Sequence, residues 1–214
     1  MYPLVQVAGW LGFGVLGIGS LAKLVRMYSE AKREKSVLPT MSAYYGLRSL
    51  VHWLVPLSSR NQRMRPVMTL VSYLFHFCLL VTPLFVMGHA VLWEQHWGVS
   101  WWSLPAWLAD VMTLVVIAAV AFFALRRIAA PEVRNVTTWR EYALLLVAVA
   151  PFATGFVAHQ QWISYQVAIV AHIVTGVLWM VAIPFTWLSH MLWFVFTRAY
   201  MGSEFGAVRK ARDW

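Results

Sequence analysis

Apolar residues dominate five stretches of the chain, each close to the 20 or so positions that a helix needs to cross hydrocarbon. They run over Leu4–Leu24, Pro66–Trp93, Pro105–Leu125, Tyr142–His159 and Ile163–Phe196. The first is rich in glycine and meets no charge before Lys23. It lacks a basic leader and an A-x-A cleavage site, so it is expected to be a retained span and not a signal peptide. The second opens on Pro66, at a first turn where a missing N–H costs little. The fifth exceeds the bilayer thickness, which suggests tilt or projection beyond it. Between spans one and two the pattern changes to a helical stripe over Met41–Leu57. Met41, Tyr44, Tyr45, Leu47, Val51, Leu54 and Val55 share one face, Arg48 and Ser49 point away, and Pro56 ends the pattern. That is the signature of a cytoplasmic interfacial helix. The expected fold class is all-α: a single-domain integral membrane bundle of five transmembrane helices plus this interfacial helix.

Composition agrees with the pattern. Of 214 residues, 61% are hydrophobic and only 12% charged, where a soluble domain carries about a quarter charged residues. The formal charge of +9 would suggest nucleic acid in a soluble protein, but a mean hydropathy of +0.65 excludes that class. The charges matter by position. Nine basic residues lie at the inner end of span one (Lys23) and between spans one and two, four between spans three and four, and four after span five, which accounts for all 17. The positive-inside rule then places the amino terminus outside and the carboxyl terminus in the cytoplasm, as expected in a bacterial inner membrane. The lone cysteine, Cys78, excludes thiolate zinc and cysteine-ligated iron–sulfur sites within the chain; it reads as a buried small hydrophobe.

Seven histidines remain as candidate chemistry. His76, His89, His172 and His190 lie inside spans, where an ionisable side chain is costly and points to function. The bland alternative for any one of them is a hydrogen bond to a neighbouring helix. Spans two and five run in opposite directions, so His76 pairs in depth with His190 near the inner face, and His89 with His172 near the outer face. Each pair could clamp a porphyrin iron from both sides. In a continuous fifth helix His172 and His190 share one face about 27 Å apart, whereas in an ideal second helix His76 and His89 diverge by about 140°. Pro83 lies between those two and is expected to kink the helix.

At this level the chain resembles a known family. The loop LRRIAAPEVRNVTTWRE and the last span AHIVTGVLWMVAIPFTWLSHMLWF are similar to the gamma subunit of respiratory nitrate reductase, a five-span dihaem cytochrome b. In that family an arginine pair, a proline, a Val-Arg step and paired threonines join spans three and four. Arg126, Arg127, Pro131, Val133, Arg134, Thr137 and Thr138 match them here. The family's "LFH" and "GH" ligand motifs match Leu74–Phe75–His76 and Gly88–His89, and its last-span ligand pair matches His172 and His190. The resemblance implies two haems b held by these four histidines. The second-span spacing and the segment 26–65 are longer than in that family. Its quinol-site lysine early in span three is also missing, with Asp110 in that region. The likeness is therefore nearer to the membrane cytochrome b subunits of transmembrane redox complexes in sulfate-reducing bacteria, of the high-molecular-weight cytochrome complex type. Such subunits imply a cytoplasmic iron–sulfur partner and further membrane and outer-face redox subunits.

The expected function is electron transfer across the membrane, between an outer-face donor or the quinone pool and that iron–sulfur partner. Arg126 and Arg127, at the inner end of span three, could pair with haem propionates, against the plainer reading of topology-setting charges. Gly88, Asp110 and His159, with His96 nearby, are a candidate menaquinone pocket near the outer face, where protons would be exchanged. Trp93, Trp97, Trp101, Trp102 and Trp107 read as an interfacial belt. Two alternatives use no haem: a membrane anchor that docks a partner, and a histidine-based proton or ion pathway, although no carboxylate-rich span or inverted repeat is visible.

Overall fold

A computed structural model describes residues 2–34 and 36–214, with residues 2–6 as backbone only. Among the described residues there is no strand, and five helices are long and apolar enough to cross a membrane. The protein is all-α. Its helices are α1 (Tyr2–Arg33), α2 (Val37–Thr40), α3 (Ala43–Leu54), α4 (Arg60–Met64), α5 (Pro66–Phe85), α6 (Met87–Trp97), α7 (Ala106–Ala129), α8 (Pro131–Arg134), α9 (Trp139–Gln160), α10 (Tyr165–Phe185) and α11 (His190–Ser203). A single 3-10 turn, Trp187–Ser189, separates the last two.

The chain gathers into two compact units where the sequence suggested one domain: residues 70–179, and residues 2–69 with 180–214. In the first unit α7 and α9 pack around Val116, with Phe75, Cys78, Leu104, Met112 and Phe152 in the same core. Cys78 is buried there, as expected of a small hydrophobe. A capping box starts α9, with Thr138 and Glu141 satisfying each other's end of the helix.

The expected second and fifth helices are each broken. Val86 is extended, so α5 stops at Phe85 and α6 restarts at Met87. The last four carbonyls of α5 all find donors. Val86 N–H reaches Thr82 O (2.9 Å) and Leu104 N–H reaches Phe85 O (2.8 Å). His89 Nδ1 donates to Pro83 O (2.7 Å), and Trp101 Nε1 to Leu84 O (2.7 Å). Gly98, left-handed at φ 65°, ends α6. In the fifth span Pro184 removes an N–H, and Thr186 caps a new start by accepting from Leu188 N–H. The continuous register that would set His172 and His190 on one face therefore does not exist.

In the second unit α3 packs on α11 through small residues. A Cβ on Gly46 would sit 3.0 Å from Ala199 Cβ, and one on Gly202 would collide with Ser49. Ser49 and Ser203 are fully buried, and Ser203 Oγ accepts from Ser42 N–H at 2.9 Å. The apolar side of α3 is exposed at Tyr44, Leu47, Val51 and Leu54, as an interfacial helix requires. The polar side differs from expectation, because α11 and the C-terminal segment cover it instead of water. Asp213 pairs with Arg198 and accepts from Ser49 Oγ at 2.6 Å. Trp214 stacks on His52 with ring centres 4.1 Å apart.

Candidate functional site: a paired-histidine centre

The first unit brings His89 and His172 together. Their ring centres are 5.9 Å apart and their planes within 17° of parallel. The break at Val86 makes this possible, because α6 starts afresh and frees His89 from the ideal-helix angle set by His76. Each ring is oriented by a proline carbonyl. His89 Nδ1 donates to Pro83 O, six residues back across the break. His172 Nδ1 donates to Pro151 O on α9 at 2.8 Å. A carbonyl only accepts, so both Nδ1 atoms carry the proton and both Nε2 atoms keep a lone pair for a ligand.

Gly155 makes room for the second ring. A Cβ there would lie 2.9 Å from His172 Cε1 and 3.0 Å from Nδ1, closer than ordinary contact, so the imidazole lies against bare backbone of α9. The two helices also join through Thr154, next to Gly155, and Thr175, three residues after His172, whose hydroxyls are 3.0 Å apart. On α10 one turn beyond His172, a Cβ on Gly176 would meet nothing within 4 Å, so that face of the helix is open there.

The other candidate ligands are held differently. His76 Nδ1 donates to Ser72 O at 2.7 Å and His190 Nδ1 to Trp187 O at 2.9 Å. These are bonds within one turn, and His96 makes the same bond to Leu92 O; they fix a tautomer without assembling a site. His76 belongs to the first unit and His190 to the second. Asp110 and His159 do meet: His159 Nδ1 donates to Asp110 Oδ1 at 3.0 Å, and Gln160 Nε2 to Oδ2 at 2.9 Å. Gly88 is not in contact with them, since a Cβ there meets nothing within 4 Å. Arg127 donates to Thr137 Oγ1 at 3.2 Å, and Arg126 lies 4.0 Å from Glu132. Both arginines thus tie the end of α7 to the connection that follows it.

Several contributors escaped the sequence reading. Pro83, expected to kink the helix, also serves as an acceptor. Pro151 and Gly155 carry no local signal, because their roles depend on α10 lying alongside. Trp101 was assigned to an interfacial belt, yet its indole N–H closes the end of α5. Among the described residues no group of three or more His, Cys, Asp or Glu side chains that could hold a metal ion is present.

Helical spans of this length and composition, with a paired-imidazole centre between them, define a multi-pass α-helical membrane protein. Over 163 residues the chain is 39% identical to a Nitratidesulfovibrio vulgaris protein that bears only the generic name "Protein", covering 76% of this chain and 72% of that one. The chain belongs to the same family as that bacterial protein. No protein-family model matches it, and no solved structure does.

Proposed function

We propose that the chain is a b-type cytochrome subunit of a respiratory membrane complex, with bis-histidine haem held by His89 and His172. The observation that carries this reading is the pair of parallel imidazoles, each turned by a proline carbonyl so that Nε2 is free. The two ring centres lie 5.9 Å apart with nearly parallel planes. Haem b supplies a one-electron iron couple when bound. His89 and His172 would hold it, and the carbonyls of Pro83 and Pro151 would fix ring orientation and increase ligand basicity. His76 and His190 are each proposed as a ligand of a second haem, on the grounds of sequence depth and family resemblance. Asp110 and His159, tied together, offer a proton-exchanging group where menaquinone would be oxidised or reduced. The amino terminus would be outside, and electrons would pass between an outer donor or the quinone pool and a cytoplasmic iron–sulfur partner. A relative in a sulfate reducer is in keeping with that type of complex.

The test is spectroscopic. Purified protein reduced with dithionite should show a b-type α-band, with two haems per chain on quantitation. His172→Ala should remove one haem, and a protein with no haem would end this reading in favour of a haem-free anchor or a histidine proton pathway.

A further inference from the structure

Helix α1 is longer than hydrocarbon requires. Its apolar stretch, Val7–Arg33, has 27 residues and is therefore about 40 Å long, against a hydrocarbon thickness of about 30 Å. No charge precedes Lys23, so the turns over residues 26–33 are the part left at headgroup depth. There α1, α2 and α11 border an open groove of about 520 Å³. Its floor is apolar: Ala31 is buried, and Met27, Val37 and Phe196 are half-buried. Arg33 and Glu34 are exposed at its rim. Glu30 also lines the groove but is already bonded to Arg26 at 2.8 Å. Among the described residues neither Arg33 nor Glu34 has an ion-pair partner. One uncommitted cation and one uncommitted anion thus border the same apolar groove.

We propose that this groove binds one zwitterionic aminophospholipid, with an acyl chain along the floor, the phosphate on Arg33 and the primary ammonium on Glu34. The inference is independent of the haem reading. A guanidinium takes a phosphate through paired N–H donors. A carboxylate accepts equally well from a primary ammonium. Choline has no N–H to offer it, and an anionic headgroup would set like charge beside it. Tyr200, which also lines the groove, has an apolar ring and a polar tip, as suits the level where acyl chain gives way to headgroup.

The test is native mass spectrometry of the full chain in detergent, titrated separately with dioleoyl phosphatidylethanolamine, phosphatidylcholine and phosphatidylglycerol. One phosphatidylethanolamine should bind about tenfold more tightly than either of the others, the worth of one charge-assisted hydrogen bond. Glu34→Gln should abolish that preference, whereas Arg33→Gln should weaken all three lipids alike. Ala31→Phe should fill the floor and also weaken all three; if it does not fold, the two exposed variants still carry the test. Equal affinity for the three lipids, a preference for phosphatidylglycerol, or a phosphatidylethanolamine preference that survives Glu34→Gln would overturn the inference.

Discussion

Gly155→Ala gives the sharpest test of the paired-histidine centre, because one methyl group is aimed at one ring. The added Cβ would start 2.9 Å from His172 Cε1, so the imidazole must retreat by about half an ångström to reach ordinary contact. That motion strains the 2.8 Å bond to Pro151 O, a bond worth about 1 kcal/mol net. Overpacking adds about 1–3 kcal/mol. Alanine's better helix propensity returns about 1 kcal/mol. The net expectation is a loss of about 1–3 kcal/mol, with a tenfold to hundredfold weaker hold on metal at this centre, the usual effect of disturbing a ligand's supporting bond. Thermal unfolding in detergent and haem quantitation measure the two effects. Gly17→Ala is the matched control, since a Cβ there meets nothing within 4 Å and only the propensity gain should appear. If Gly155→Ala is as stable and as haem-replete as Gly17→Ala, the placement of His172 against α9 is wrong.

Three further outcomes follow from the same coordinates. Gly176→Leu should fill the open face beside His172 and lower haem content at that centre while leaving the melting temperature of the haem-free protein nearly unchanged. Asp213→Asn should cost about 2–4 kcal/mol in thermal unfolding, because it leaves Arg198 without its carboxylate in a largely buried setting. His52 is held below the ordinary histidine value, chiefly by burial, with Asp213 opposing and Arg63 and Arg212 assisting. The unfolded chain therefore takes up a proton near pH 6.5 that the folded chain resists. Stability should decline as pH falls through 6.5 and level off below the folded value; a His52→Gln variant with the same slope would refute this.

The five apolar stretches were legible because membrane length acts through local composition. The meeting of His89 and His172 was legible as a pairing but not as geometry. Thirteen residues of ideal helix put His76 and His89 on divergent faces, and nothing local says that the helix stops at Val86. The stop depends on Trp101 and Leu104, which supply donors from far downstream. The break after Phe185 had a local signal, Pro184 followed by the capping Thr186, outweighed by the length of the apolar run. The exposed side of α3 was readable from its stripe; its buried side was not, because glycines at 46, 202 and 206 acquire meaning only when two helices touch.

The end of α5 makes the connection over residues 98–105 a measuring device. Trp101 and Leu104, three residues apart, grip Leu84 and Phe85, adjacent carbonyls on the last turn. Insertion or deletion of one residue between Trp101 and Leu104 would leave one of those carbonyls without its donor and allow α5 to run on into α6. His89 would then rotate away from His172, although no residue of the centre had been changed. Length in this connection is therefore expected to be held far more tightly than residue identity when relatives are compared.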